Sequence, residues 1–221
     1  MKEAQITDKN KVVKIICESF NTNPHVNFIV KNDKKRSDRM VILAEYAFKF
    51  GIRRNGVFLT DDGLGVAIIF NYGKVKMNLY EYWLQLILGF KCFTLSRSFM
   101  VDKLESLIKK NRASDVDFIY LWFFGVADEA LGTSNGRDLM KFIFKMSADQ
   151  KLPIYLETSL RRNSIIYKRF GFEQYNILET GKKVETAIMI GDSENDITCA
   201  KKANIPSIAV NFGYSKVSVE S

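Results

Sequence analysis

Along residues 9 to 20 apolar side chains return at Val12, Val13, Ile16 and Phe20, and along 35 to 51 at Met40, Val41, Ala44, Ala47 and Phe48. Spacings of three and four place each set on one helical face, so two amphipathic helices are expected. The period then changes. "GVFLT" and "GVAIIF" are short runs rich in β-branched and aromatic residues, and "DDGL" between them supplies Asp and Gly for a turn, which predicts a hairpin. A longer helical region follows. Leu79, Trp83, Leu86, Ile87 and Phe90 share one face, and after "KCFTLS" so do Met100, Leu104, Leu107 and Ile108. Both stripes are expected to face the core.

From Phe118 to Val126 the sequence "FIYLWFFGV" is almost continuously apolar, as expected of a central strand covered on both faces. Leu139, Met140, Ile143 and Phe144 mark a helix ending near Gln150. Beyond it the pattern predicts a strand at "PIYLET", a short helix over 163 to 170, and strands at "GFEQYNIL" and "VETAIMI".

With 221 residues and 47% hydrophobic side chains, the chain suits one generous domain, or a domain with an appendage. The longest apolar stretches, such as "YWLQLILGF", fall short of the roughly 18 residues of a membrane span. The amino terminus has no apolar run of signal-peptide type, so a cytoplasmic protein with no membrane partner is expected. Cys17, Cys92 and Cys199 are far apart and only His25 could help them bind a metal, so they are expected to be reduced thiols. The net charge of +8 suggests an anionic partner, which could be nucleic acid, a membrane surface or a phosphorylated small molecule. No basic stripe interleaved with aromatics appears, so nucleic acid is not expected.

The turn "ADEALGTSNG" lies between the central strand and a helix. A turn of this kind leaves backbone N–H groups unpaired at a helix start, where the dipole helps them hold a phosphate or pyrophosphate. In "YLWFFGVADEALGTSNGRDLM" and "LPIYLETSLRRNSIIYKRFGFE" the joint pattern resembles the GNAT family of acetyl-CoA-dependent N-acetyltransferases. That family carries a Q/R-x-x-G-x-G/A loop whose amides hold the coenzyme A pyrophosphate. Here Val126 falls at the strand end, Gly132 and Gly136 at two family glycines, Leu131 at the usual Gln or Arg, and Ser134 at a usual glycine. The resemblance implies a cofactor site built from Phe124, Gly125, Val126, Leu131, Gly132, Thr133, Ser134, Asn135, Gly136 and Arg137. It also implies N-x-x-x-Y-x-x-x-G-F, matched by Asn163, Tyr167, Gly171 and Phe172. Tyr167 would be the general acid toward the departing thiolate, and Asn163 would either bond the pantetheine arm or cap a helix beginning at 164. Glu157 would take the proton of the amine; its alternative is a strand-edge carboxylate in a salt bridge.

The implied fold is an α/β GNAT domain over residues 1–190: a mixed, largely antiparallel twisted sheet with helices on both faces and two splayed central strands. The implied reaction is acetyl transfer from acetyl-CoA to a primary amine, on a small molecule or a peptide. Phe20, Phe28, Tyr72 and Trp83 are candidates for shaping the acceptor pocket.

Residues 188 to 215, "IMIGDSENDITCAKKANIPSIAVNFGYS", resemble instead the last conserved block of HAD-superfamily phosphatases of the phosphoglycolate-phosphatase type. There Asp192 and Asp196 would stand at the Mg²⁺-binding acids. Such a phosphatase needs an aspartate nucleophile from a D-x-D-G-T motif, and the nearest imitation, "TDDGL" at 60 to 64, has Thr60 in its place. The chain is therefore expected to be an acetyltransferase with a borrowed tail over 191–221. A Mg²⁺-dependent phosphatase and a non-catalytic CoA-binding module are the alternatives.

Overall fold

The computed structural model describes residues 1–74, 76–93, 95–112, 117–174 and 187–190. β2 (Val57–Leu59) and β3 (Gly65–Asn71) form the expected hairpin. The Thr60 hydroxyl closes it, accepting from the amides of Leu64 (3.1 Å) and Gly65 (2.8 Å) and donating to Asp62 Oδ1 (2.5 Å). Thr60 is buried, so the residue of "TDDGL" at the nucleophile position is consumed by a turn.

β4 (Ile119–Val126) runs antiparallel to β3 from Gly65↔Val126 to Asn71↔Ile119. Ile68 opposes Phe123 but Ile69 opposes Leu121, so Trp122 is the additional residue of a bulge, which bends the strand locally. β5 (Ile154–Glu157) lies parallel to β4 and pairs with it only at Ile119↔Ile154 and Tyr120↔Tyr155. Its other edge pairs antiparallel with β6 (Ala187–Ile190) over its whole length. A two-residue strand with no hydrophobic period to announce it, β1 (Lys2–Glu3), completes the order β1-β2-β3-β4-β5-β6. One parallel pair among antiparallel ones matches the expected mixed sheet, and the early end of β4–β5 pairing is the expected splay.

Helices cover both faces. On one, α1 (Lys9–Phe20) and α3 (Arg36–Ile52) bring Val12, Ile16, Ala44 and Phe48 against Val66, Ile68 and Phe123. On the other, α6 (Asn135–Gln150) and α7 (Arg161–Arg169) bring Leu139, Met140, Ile143 and Tyr167 against Ala67, Ile69, Leu121 and Leu156. Between α1 and α3 lies an unforeseen short helix, α2 (Pro24–Ile29), whose first amides, His25 and Val26, donate to Asn23 Oδ1 at 2.9 and 3.2 Å. Val41, expected inside, is 39% exposed.

The insertion between β3 and β4 departs most from expectation. In α4 (Leu79–Leu88) the predicted core stripe faces outward: Leu79 is 89% exposed, Trp83 57%, Leu86 59%, and Phe90 just beyond it 74%. The buried face carries Leu84, Leu88 and Glu81 instead. The cause is an ion pair. Glu81 forms a capping box with Asn78 and is gripped by both terminal nitrogens of Arg54, at the end of α3, so the helix turns its acid inward to meet its partner. A π-helical turn (Gly89–Phe93) leads into α5 (Leu95–Asn111), which buries Leu104 and Ile108 as expected but leaves Leu107 37% exposed. The predicted strand "GFEQYNIL" is not formed over its first four residues, and 175–178 lie outside the described residues.

Candidate active site

β4 and β5 pair no further than Tyr120 and Tyr155, so among the described residues the rest of β4 has a bare edge. The Ala127 amide donates to Leu64 O at 2.8 Å. Antiparallel alternation therefore turns the N–H groups of Val126 and Phe124 away from β3, toward the opening beside β5. The Val126 carbonyl accepts from Ser19 Oγ of α1 at 2.9 Å. A Cβ on Gly125 would stand 2.6 Å from that same Oγ, so glycine is what lets α1 approach the strand end.

The chain next forms a single 3-10 turn (Asp128–Ala130) and passes through Gly132, whose φ of +81° is the left-handed region. The amides of Leu131 and Thr133 donate to the carbonyls of Asp128 and Ala130 (both 3.3 Å), Asn135 N–H reaches Thr133 Oγ1 (3.4 Å), and Asp138 N–H reaches Ser134 O (2.9 Å). Among the described residues the amides of Gly132, Ser134, Gly136 and Arg137 meet no acceptor. They cluster at the first turn of a 16-residue helix, the arrangement that binds an anion. Ser134 replaces the family glycine at φ −75° and ψ −13°, a conformation open to any residue, so the substitution imposes no backbone strain. The Leu131 side chain, where Gln or Arg is usual, is 68% exposed. Asn135 is anchored, its Nδ2 donating to Asp62 Oδ2 at 3.0 Å and tying the helix start to the β2–β3 hairpin. Arg137 is exposed on the same turn.

Across the opening, Tyr167 of α7 is buried, its ring 6.4 Å from that of Phe124 and 5.5 Å from that of Phe172. Its hydroxyl meets no hydrogen-bond partner among the described residues. Burial pushes the phenol well above its ordinary range, so it stays protonated at neutral pH. Asn163 is the third residue of α7; Leu160 holds the cap position and the cap has no side-chain bond, so the expected capping role is not formed. α7 starts at Arg161 because the Asn163 and Ser164 amides already reach Leu160 O, at 2.9 and 3.1 Å.

Glu157 sits at the end of β5, where the strands part. Oε1 accepts from Arg112 Nε and Nη2, both at 2.8 Å, and Oε2 from the Tyr120 hydroxyl at 2.5 Å. The salt bridge weighed from sequence is thus formed. Arg112 is buried, with its guanidinium carbon 4.3 Å from the Tyr120 ring centroid and 5.0 Å from that of Tyr72. Burial raises the Tyr120 phenol well above its usual value, and the Glu157 charge adds to this. His25 is fixed beside this cluster, its amide donating to Ser159 Oγ at 3.1 Å. Burial lowers its imidazole pKa, opposed by the charge of Glu157.

Sequence reasoning missed Ser19, Arg112 and Tyr120, and weighed His25 only as a partner of the cysteines. Arg112 and Glu157 are 45 residues apart with no motif linking them, so only the fold reveals the pair. A separate cavity of about 290 Å³, lined by Arg54, Phe58, Asn71, Ile119, Met146 and Gln150, lies at the far end of β4 from Val126. Burial pushes the thiols of Cys17 and Cys92 up to about 11 and about 12, so both stay protonated. Among the described residues no group of three or more His, Cys, Asp or Glu could hold a metal ion, and no helix is long and apolar enough to cross a membrane. Asp192, Asp196 and Cys199 lie outside the described residues.

Along 91% of its length the chain is similar to an uncharacterized N-acetyltransferase of Schizosaccharomyces pombe, 23% identical over 218 residues and 87% of that protein. A crystal structure from Corynebacterium glutamicum, described as a histone acetyltransferase and related acetyltransferase, matches 85% of this chain and 92% of its own. The identity there is 18% and the TM-score 0.58. Arylalkylamine N-acetyltransferase 2 from Aedes aegypti matches 85% of this chain and 95% of its own, with 15% identity and a TM-score of 0.57. The family described as haloacid dehalogenase-like hydrolase matches residues 173–210. A phosphoglycolate phosphatase of Agrobacterium fabrum is 51% identical over 41 residues, 19% of this chain but only 18% of that enzyme. The chain therefore has the fold of the GNAT N-acetyltransferases, its similarity along most of its length is to an N-acetyltransferase, and it ends in a segment similar to haloacid dehalogenase-like hydrolases.

Proposed function

We propose that the protein transfers an acetyl group from acetyl-CoA to a primary amine. The observation that carries this reading is the set of four unpaired amides, Gly132, Ser134, Gly136 and Arg137, at the head of α6 beside the bare edge of β4. Their clustering and the helix dipole suit a diphosphate, and the glycine at φ +81° allows close approach of backbone to ligand. Acetyl-CoA, when bound, supplies an activated acyl group and a thiolate leaving group.

The remaining roles fall to residues of the chain. The inward-turned N–H groups of Phe124 and Val126 hold the carbonyl oxygen as the amine adds, the Val126 N–H being nearer the strand end. Tyr167, protonated and otherwise unpartnered, donates toward the departing sulfur. Glu157 favours an ammonium at the parting of the strands and receives its proton through water, held in place by Arg112 and Tyr120. One C–S bond breaks and one C–N bond forms; of the two protons that nitrogen loses between ammonium and amide, one passes through Glu157 to solvent and the other balances the proton that Tyr167 delivers to sulfur. The acceptor is a small or peptide amine whose body rests on the aromatic wall of Tyr72 and Tyr120.

Isothermal titration with acetyl-CoA tests the first half: saturable binding is expected, and none at millimolar cofactor overturns the reading. Thiol release across an amine panel tests the second. Acetyl-CoA binding without any thiol release would favour the non-catalytic module, and phosphate release from phosphoglycolate would favour the phosphatase.

A further inference from the structure

The outward stripe of α4 is an apolar feature that the proposed chemistry leaves unused. Leu79, Leu86 and Phe90 are 89%, 59% and 74% exposed, Trp83 and Tyr82 57% and 55%, and Phe99 at the start of α5 77%. Residues 79, 82, 83, 86 and 90 recur at helical spacing, so these side chains form one continuous ridge. A soluble monomer rarely displays so many large apolar side chains in one patch unless something covers them. The helix cannot roll over to hide them, because its opposite face is locked by the buried pair of Glu81 and Arg54.

The surroundings of the ridge select the occupant. Between residues 76 and 99 stand Lys76 and Lys91, both exposed, and Arg97, which donates to the carbonyls of Asn27 and Phe28, against one acid, Glu81, which is buried and paired. Arg53 lies 5.2 Å from the Tyr80 ring, on the ridge's flank. A cationic rim around Leu, Trp, Tyr and Phe complements an anionic lipid surface, where aromatic rings settle at headgroup depth and lysines meet lipid charges. The same rim opposes docking of a second copy, since two like-charged surfaces would meet. We infer that α4 and the turn after it form a peripheral membrane-binding face, lying flat on anionic bilayers without crossing them.

The test is co-sedimentation of the full chain with vesicles of phosphatidylcholine alone and of phosphatidylcholine mixed with phosphatidylserine. Partition onto the mixed vesicles is expected, weakened by added salt, with a blue shift of Trp83 emission. Leu86→Glu and Phe90→Glu should each reduce the partition coefficient about tenfold or more, since each removes a large side chain from the apolar layer. Both positions point into solvent, so unchanged circular dichroism and unchanged acetyl-CoA binding should accompany the loss. Failure to partition onto phosphatidylserine vesicles overturns the inference. So does a concentration-dependent dimer, seen by sedimentation velocity and abolished by the same substitutions, because a second copy would then be the occupant.

Discussion

β4 and β5 start as paired neighbours and finish apart, and the two parts of this strand pair satisfy their polar groups in opposite ways. Where they part, both oxygens of Glu157 are bonded, and Arg112 lies between two tyrosine rings and a carboxylate. At the Val126 end two strand amides turn toward the opening, and four turn amides and the Tyr167 hydroxyl have no protein partner among the described residues. Gly132, Ser134 and Arg137 are exposed, so these donors are free to take an anion in place of water at the start of α6. The closed part stores stability and the open part stores binding capacity.

The strongest way to break this contrast is Arg112→Met. It removes the cation from a buried pair and leaves the Glu157 carboxylate with only the Tyr120 hydroxyl, a loss of about 3–5 kcal/mol expected in urea unfolding. Adding Glu157→Gln should recover part of it, and acetyl-CoA binding by the folded fraction should be little changed. Tyr167→Phe probes the other end with the opposite signature. The phenol has no described partner, so stability should move by less than about 1 kcal/mol. Meanwhile kcat for acetyl transfer should fall about 10²- to 10⁴-fold. A Tyr167→Phe variant that unfolds easily but turns over normally would invert the contrast.

The open end was legible in the sequence because its pieces are local. "GVADEALGTSNG" carries its anion site within one turn, and "NSIIYKRFGF" places Tyr167 at fixed spacing from Phe172. The closed end was legible only at Glu157, where a salt bridge was one of two expectations; its partners Arg112 and Tyr120, and His25 beside them, come from three other elements, and ion pairs leave no periodic trace. α4 illustrates the same limit in the fold. Hydrophobic periodicity located its stripe correctly but could not say on which side the rest of the protein lay, and one pairing, Glu81 with Arg54, reversed the expectation. β1 and α2 escaped because two and six residues are too few for either period to show.

Gly132→Ala sharpens the contrast at smaller amplitude. A Cβ there would meet nothing within 4 Å, so its cost is only the backbone strain of holding φ at +81°. That strain is about 1–2 kcal/mol. The loop should relax it by shifting its amides, raising KM for acetyl-CoA about five- to twentyfold while leaving kcat within about twofold. An equal fall in kcat would mean that the turn positions the thioester as well as the diphosphate.

The smallest effect is expected from His25, which joins the closed part to α2. Its imidazole is partly buried beside Glu157, and burial holds its pKa below the usual value of about 6.5. Below that pH the unfolded chain takes up a proton that the folded protein resists, so the unfolded state is favoured and stability is lost as pH falls from about 6.5. Paired carboxylates such as Asp33, held at about 2 by Arg39 and the Lys35 amide, titrate much lower and leave this window to the histidine. Tm measured from about pH 8 down to about pH 5 should therefore decline below neutrality, and His25→Gln should flatten that decline. If the slope persists unchanged in the variant, the attraction of Glu157 offsets the burial of the ring and His25 leaves this window to other groups; a steeper decline would mean that the attraction outweighs burial.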